Sequence, residues 1–352
     1  MTLSSADTSA KRRAFKQLHE MGTFVIPNPW DIGTARYLQG LGFKALATTS
    51  SGAAWSQGMP DGSATLEQTL EHLRMMVAAT ELPLNADFEN GFAVDPQGVE
   101  ENVRLAIETG IAGISIEDST GDLSNPVFDI DTAVARIRAA RKAIDATGGE
   151  TLLVGRAENL WLGRNDLHDT IARLRAYSDA GADCLYAPGV RAPDQIAAMV
   201  ASVSPKPLNL LVGNPSETTV HSYGNMGVRR ISVGGALART SWGAFIKCAK
   251  RIADEGRFDM YEFAANQNEL NTFFRFTRGA SAPKLAGRVV GNVEYTDGDG
   301  PALPIPAGSV GIVTNASEAV ISWNEDAAAE VAAIPMAAFC AHVASGAIVV
   351  SG

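Results

Sequence analysis

Three carboxylates in this chain have the type and spacing to hold a cation. Asp87 and Glu89 stand two apart in Asp87-Phe88-Glu89, and Glu117 closes the run Ile114-Ser115-Ile116-Glu117. On extended chains, Asp87 and Glu89 would point to one side with Cα atoms roughly 6.5 Å apart, and a neighbouring strand would bring Glu117 to roughly 5 Å. Carboxylates so close raise each other's pKa unless they share a cation. No His or Cys accompanies them, and oxygen-only donors suit Mg²⁺ or Mn²⁺ with waters better than Zn²⁺. The competing readings are a solvated acidic rim and carboxylates paired with Arg156.

Arg156 ends the next apolar run, where a guanidinium can grip a substrate carboxylate bidentately or serve as a structural ion pair to Glu158 or Glu117. The stretch Ser50-Ser51-Gly52-Ala53 offers hydroxyls and backbone N–H groups, the parts of an anion or oxyanion site. Gly234-Gly235 reads either as a phosphate-binding helix start or as a tight turn.

Other chemistries find little support. The histidines are His19, His72, His168, His221 and His342, none at an expected strand end, so no Ser-His-Asp or Cys-His set assembles. Cys184, Cys248 and Cys340 lack the spacing of a disulfide or zinc framework. No Walker-type glycine loop is present. The net charge of −10 argues against nucleic-acid and anionic-membrane partners but not against a small anionic substrate. With no signal-peptide h-region and no apolar run of membrane length, a soluble cytoplasmic protein is expected.

The elements that must position these groups alternate. Eight short apolar runs begin at Phe24, Ala45, Leu84, Gly113, Leu152, Cys184, Leu208 and Ile231, separated by helix-period segments. Thr65-x-x-Gln68 is a capping box, and Gly110 and Gly181 stand where helix-ending glycines belong. Eight βα units predict a (β/α)8 TIM-type barrel, with an open doubly wound sheet as the alternative. The expected organisation is an N-terminal segment over 1–20, the barrel with a C-terminal helix over 21–280, and a small appended β-rich domain over 283–352. Met260 to Arg278 reads as one more helix, apolar enough to need a partner surface. The appended region shows strand-like stretches at 288–295, 310–313 and 319–323 and a turn at 296–301, with no functional motif.

Taken together, these strand ends resemble the isocitrate lyase/phosphoenolpyruvate mutase superfamily. The matching stretches are Pro27-Asn28-Pro29-Trp30-Asp31, Ser50-Ser51-Gly52, Gly58-Met59-Pro60-Asp61, Ala86-Asp87-Phe88-Glu89-Asn90-Gly91, Ile114-Ser115-Ile116-Glu117-Asp118, Gly155-Arg156-Ala157 and Gly227-Val228-Arg229-Arg230-Ile231-Ser232. They run over about residues 20–275. The resemblance implies a Mg²⁺-bearing barrel with Asp87 as direct ligand and Glu89 and Glu117 holding metal-bound waters. Asp61 matches a further acidic position near the metal, and Arg156 the substrate-carboxylate residue. Trp30 and the Ser50-Ser51-Gly52-Ala53 stretch match the substrate-binding segments. Homo-oligomers formed by exchanging the last helix are implied as well, giving a role to the segment near 260–278.

One stretch departs from the pattern. Lyases of that superfamily carry Lys-Lys/Arg-Cys-Gly-His soon after the glutamate matched by Glu117. Here the chain reads Ser119-Thr120-Gly121-Asp122-Leu123-Ser124-Asn125-Pro126. The expected activity is a Mg²⁺-dependent carbon–carbon lyase or decarboxylase acting on a small 2-oxo or 2-hydroxy di- or tricarboxylate, of the 2-methylisocitrate or oxaloacetate kind. The alternatives are P–C chemistry, as in a phosphoenolpyruvate/phosphonopyruvate mutase or hydrolase, and a non-catalytic ligand-binding scaffold.

Overall fold

The computed structural model describes residues 5–277, 284–296, 300–323 and 330–351. Residues 1–4, the final residue Arg278 of the expected helix, and Asp297-Gly298-Asp299 of the expected turn lie outside the described residues.

The chain divides into two units: Met1–Ala35 with Lys44–Ser241, and Arg36–Phe43 with Trp242–Gly352.

The first unit opens with α1 (Ser5–Leu18) and continues through alternating strands and helices. The strands are β1 (Phe24–Ile26), β2 (Leu46–Ala47), β3 (Leu84–Asp87), β4 (Gly113–Glu117), β5 (Leu152–Arg156), β6 (Cys184–Tyr186), β7 (Leu208–Leu211) and β8 (Arg230–Ser232). The helices are α2 (Ile32–Gly40), α3 (Ser50–Ser56), α4 (Leu66–Ala79), α5 (Pro96–Glu108), α6 (Ile130–Ala146), α7 (Leu167–Asp179), α8 (Pro193–Val203), α9 (Val220–Asn225) and α10 (Ala236–Glu255). All pairings in this sheet are parallel, in the order β1-β8-β7-β6-β5-β4-β3-β2. β1 therefore neighbours β8, and Ala47 N–H donates to Pro27 O at 3.1 Å across the remaining seam. This is a (β/α)8 barrel, not an open sheet. The strands are nearly all buried, as parallel strands covered on both faces must be.

Helix limits follow local chemistry. Thr65 and Gln68 form the capping box at α4, Asp95 caps α5 through Gly98 N–H, and Gly110 and Gly181 adopt positive φ after α5 and α7. Phe15 of α1 fills the base of the barrel: a Cβ on Gly113 would stand 2.5 Å from the Phe15 ring, so only glycine admits it.

The second unit holds the end of α10, a 3₁₀ turn at Tyr261–Phe263, α11 (Gln267–Phe276) and a β-rich portion. The latter comprises β9 (Lys284–Val289), β10 (Glu294–Thr296), β11 (Ala302–Pro304), β12 (Gly308–Thr314), β13 (Glu318–Trp323), β14 (Glu330–Pro335), α12 (Met336–Ala344) and β15 (Ile348–Ser351). An antiparallel sheet runs β14-β13-β12-β9-β15, with β10 and β11 as a separate hairpin. The β-rich expectation holds. The expected helix over 260–278 begins at Gln267, and its apolar face is already covered: Phe273 is fully buried in the core of this unit, with Phe274 and Phe276 packed against it.

Candidate active site

The ends of β2 to β5 bring the chemistry together around Arg156. Its Nη1 stands 3.3 Å from Asp87 Oδ1 and 3.1 Å from Glu117 Oε2, its Nε pairs with Glu158 Oε1, and its guanidinium lies 5.0 Å from the centre of the Tyr186 ring. The register explains this, since Glu117 and Arg156 are direct neighbours on paired strands. Both structural ion pairs considered for Arg156 therefore form. Nη2 makes no hydrogen bond with a described residue.

Asp87 is fixed from three sides. Its Oδ2 accepts from Ser50 N–H at 3.0 Å, its Oδ1 from Arg156, and its own N–H donates to Thr48 Oγ1 at 2.9 Å. Ser50 Oγ donates to Asp61 Oδ1 at 3.2 Å, which ties the exposed Asp61 to the same rim. Glu89 departs from expectation. β3 ends at Asp87, and Glu89 takes φ 47°, so it does not continue an extended strand beside Asp87. A left-handed glutamate is uncommon backbone geometry and is held here by Glu117 N–H donating to Glu89 O at 3.0 Å.

Negative charge exceeds positive charge in this cluster. Burial, then the charges of Asp87 and Asp61, push the Glu89 carboxyl up to about 7. Burial also raises Glu117 well above the carboxylate range, against the opposing pull of Arg156. Asp61 is raised too, by partial desolvation and then by Asp87. Acidic oxygens crowded to this degree are the donor set a hard cation relieves. Among the described residues, no three His, Cys, Asp or Glu side chains converge as direct ligands.

The cluster opens onto a cavity of about 320 Å³ lined by Ser50, Ser51, Asp61, Asp87 and Arg156 at the mouth and by Asn85, Ser115, Tyr186, Asn209, Arg230 and Ser232 deeper down. Gly52 and Ala53 do not line it. They lie buried in the first turn of α3, where Gly52 N–H donates to the Thr49 cap and Ala53 N–H to Thr49 O. The expected open turn of free amides is therefore a helix start whose amides are largely used. Trp30 also lies outside the cavity. It borders a separate surface depression, and its Cβ would stand 2.9 Å from a Cβ on Gly52. The amides of Val233 and Gly234 both donate to Asn28 Oδ1, at 3.0 and 2.8 Å, so the glycine pair is a closed turn.

Residues 119–127 form a short hairpin, with a bridge between Ser119 and Val127 and Thr120 N–H donating to Pro126 O. None of them lines the cavity. Behind the site, buried Asp118 accepts from Glu158 N–H at 2.7 Å, Arg173 Nη1 at 3.0 Å and Tyr177 Oη at 2.6 Å. This network holds the β5 end that carries Arg156 and Glu158.

The sequence reading missed the polar floor. A signal was available: Leu84-Asn85-Ala86-Asp87, Leu208-Asn209-Leu210 and Arg230-Ile231-Ser232 place polar residues at alternate positions of otherwise apolar strands, the period of one face. No histidine joins the site. His19 and His72 are buried, and His19 is pushed down to about 3 by burial and the nearby Arg230.

Comparisons with known proteins agree with this geometry. The profile of the family described as phosphoenolpyruvate phosphomutase matches residues 15–253. Uncharacterized protein Rv1998c of Mycobacterium tuberculosis (strain H37Rv) is 31% identical over 243 residues, covering 68% of this chain and 89% of the relative. Oxaloacetate decarboxylase of Paraburkholderia xenovorans (strain LB400) is 29% identical over 242 residues, covering 66% of this chain and 78% of the relative. 2-Methylisocitrate lyase of Escherichia coli K12 is 32% identical over 157 residues, covering 42% of this chain and 51% of the relative. Among solved structures, a Burkholderia cenocepacia J2315 protein assigned provisionally to the lyases or mutases superposes with TM-score 0.74 at 45% identity, covering 76% of this chain and 98% of the other. Oxaloacetate acetylhydrolase with its product oxalate superposes with TM-score 0.64 at 29% identity, covering 72% of this chain and 89% of the other. None of the described helices is long and apolar enough to cross a membrane.

Proposed function

The chain belongs to the phosphoenolpyruvate mutase/isocitrate lyase superfamily of lyases and mutases, and from that premise we propose that it is a Mg²⁺-dependent carbon–carbon lyase or decarboxylase acting on a small 2-oxo or 2-hydroxy dicarboxylate. The observation that carries this reading is that Asp87 and Arg156 meet at the mouth of one polar cavity, with Glu117 ion-paired to Arg156. Asp87 would hold the cation directly, with Glu89 and Glu117 on its waters; Mn²⁺ would fit the same oxygens. When bound, the cation supplies Lewis-acid polarisation of the substrate oxygen beside the breaking bond.

The remaining work falls to this chain. Arg156, anchored by three carboxylates, presents Nη2 to one substrate carboxylate. The Tyr186 ring, 5.0 Å from its guanidinium, helps to hold it in place. Cleavage leaves the bonding electron pair on the retained fragment as an enolate. No side chain of residues 119–127 is a Cys, His or Lys, so that hairpin supplies no acid of the lyase kind, and water from the open mouth delivers the proton. Decarboxylation of a 2-oxo acid releases CO₂ and needs only that proton; retro-aldol cleavage of a 2-hydroxy acid also gives up its hydroxyl proton as the carbonyl forms, and water at the open mouth accepts it. Assays with oxaloacetate, citramalate-like and 2-methylisocitrate-like substrates plus Mg²⁺ are expected to give turnover of at least one. No turnover of any, with metal binding intact, would sink the proposal. The match to the phosphoenolpyruvate phosphomutase profile keeps P–C chemistry as the second reading. Phosphonopyruvate followed by ³¹P NMR discriminates, and an inert spectrum excludes it.

The crowded carboxylates give a pH signature. Glu89 titrates near 7 when folded and near 4.5 unfolded, so between those values the metal-free native state holds a proton that the unfolded chain has released. Its stability is expected to fall as pH rises through that window. Mg²⁺ needs the ionised carboxyl, so it should raise Tm more at about pH 8 than at about pH 5.5. A stabilisation independent of pH would count against the site.

We also propose self-association. The apolar surface expected on the helix near 260–278 is used inside its own unit, but Phe245 and Ile246 of α10, and Phe258 and Tyr261 after it, are large apolar side chains left exposed, the kind of surface that self-association covers. Light scattering should report a dimer or tetramer that Phe245→Glu converts to smaller species; a monomeric wild type would refute this.

A further inference from the structure

Arg230 lies deep in the cavity, 3% exposed, at the start of β8. Its Nη1 donates to Asn85 Oδ1 at 3.3 Å, and its guanidinium stands 5.8 Å from the centre of the Phe15 ring. Its Nε meets no partner among the described residues. The contrast with Arg156 is in charge. Arg156 is surrounded by Asp87, Glu117 and Glu158. The titratable groups whose charge reaches Arg230 are Cys184 and Tyr186, with no carboxylate among them. The nearby His19 is held neutral and supplies no counter-charge. An arginine cannot shed its proton to escape burial, so a buried guanidinium without an anion is a costly arrangement that an arriving anion relieves.

A second atom marks the same floor. Asn209 pairs with Arg230 in register, donates its Nδ2 to Ser232 Oγ at 2.9 Å, and leaves a buried Oδ1 without a partner. The floor thus presents a donor and an acceptor that no protein group answers. Asn85, which holds Arg230, precedes Asp87 by two residues on β3, so this layer lies roughly 6.5 Å deeper than the metal-ligand position. That depth matches the reach of a short dicarboxylate whose first end is held at the mouth.

We propose that the cavity floor is a second anion subsite, in which Arg230 binds the distal carboxylate of a short dicarboxylate substrate and selects it over a monocarboxylate of the same length. This assignment rests on the dicarboxylate reading above and names the group that recognises the far end.

Calorimetric titration with Mg²⁺ present tests it, using malate and 2-hydroxybutyrate, which differ in the distal carboxylate. The wild type should bind malate at least about tenfold more tightly, as a charge-assisted pair out of water should give. Arg230→Met should bring the two affinities within about twofold by weakening malate alone. A folded R230M that keeps the malate preference would overturn the proposal while leaving the mouth site standing. Binding of neither ligand by the wild type would overturn the dicarboxylate reading itself, and this one with it. Should R230M not fold, the wild type labelled with ¹⁵N-arginine gives a separate readout, with Arg230 assigned through the charge-keeping R230K. Its Nε–H resonance should shift and gain protection from solvent exchange with malate but not with 2-hydroxybutyrate. A resonance unmoved by malate would overturn the proposal.

Discussion

Asp87→Asn is expected to lower kcat/KM by about a thousandfold or more, a loss of about 4 kcal/mol of transition-state stabilisation. The substitution keeps the shape and removes the charge. Asp87 is the carboxylate whose position is fixed independently, by Ser50 N–H on one oxygen and Arg156 on the other, so it is the anchor on which a cation would be oriented. An asparagine there must also turn its NH₂ toward one of two N–H donors. That conflict adds about 1–3 kcal/mol of instability, which thermal unfolding separates from the kinetic loss. Metal titration of the variant should show weakened Mg²⁺ binding together with lost turnover. Retention of kcat/KM within about tenfold would show that Asp87 is not the metal anchor.

Arg156→Met is expected to be the most destabilising single change at the site. The wild-type guanidinium is the shared counter-charge of Asp87, Glu117 and Glu158, the last 3% exposed. Removing one partner of a buried charge network leaves the others uncompensated and costs about 3–5 kcal/mol. For a unit of this size that lowers Tm by about 10 °C. The sign with pH follows from the carboxylates. Arg156 lowers the pKa of Glu117 and Glu158, so its loss raises both further. The folded variant then holds protons that the unfolded chain releases above the ordinary glutamate range, and its deficit grows as pH rises. Mg²⁺ should recover part of that deficit, and Arg156→Lys should lose less. A variant within about 2 °C of wild type at about pH 8 would contradict the charge accounting.

The barrel was legible in the sequence because strands buried on both faces leave unbroken apolar runs. Phe24-Val25-Ile26 and Leu152-Leu153-Val154 mark strands without help from context. Capping was legible at Thr65 and Gln68, where the signal is local. Closure was not, because it depends on the neighbourhood of β1 and β8 and on one hydrogen bond from Ala47 to Pro27. At the site, the carboxylates and Arg156 could be read as a set because strand ends project to one mouth. Their pairing could not be read, since an ion pair to Glu117 and a grip on substrate use the same residue at the same place. In the Ser50–Ala53 stretch the helix went unread: a seven-residue helix capped by Thr49 takes up the Gly52 and Ala53 amides, while Ser50 and Ser51 line the cavity. Glu89 was misplaced because the extended-chain argument assumes a strand that stops two residues earlier. In the C-terminal portion, β11, β14, β15 and α12 went unread; β11 spans three residues and α12 sits in an Ala-rich run where helix and strand patterns coincide.

The most direct test of the central claim is a crystal structure of the protein with Mg²⁺ and oxalate. The expected result is one metal ion bound directly by the Asp87 carboxylate, with water between it and Glu89 and Glu117, and oxalate chelating the metal within reach of Arg156 Nη2. Oxalate held by arginines alone, with no metal at Asp87 under saturating Mg²⁺, would contradict it.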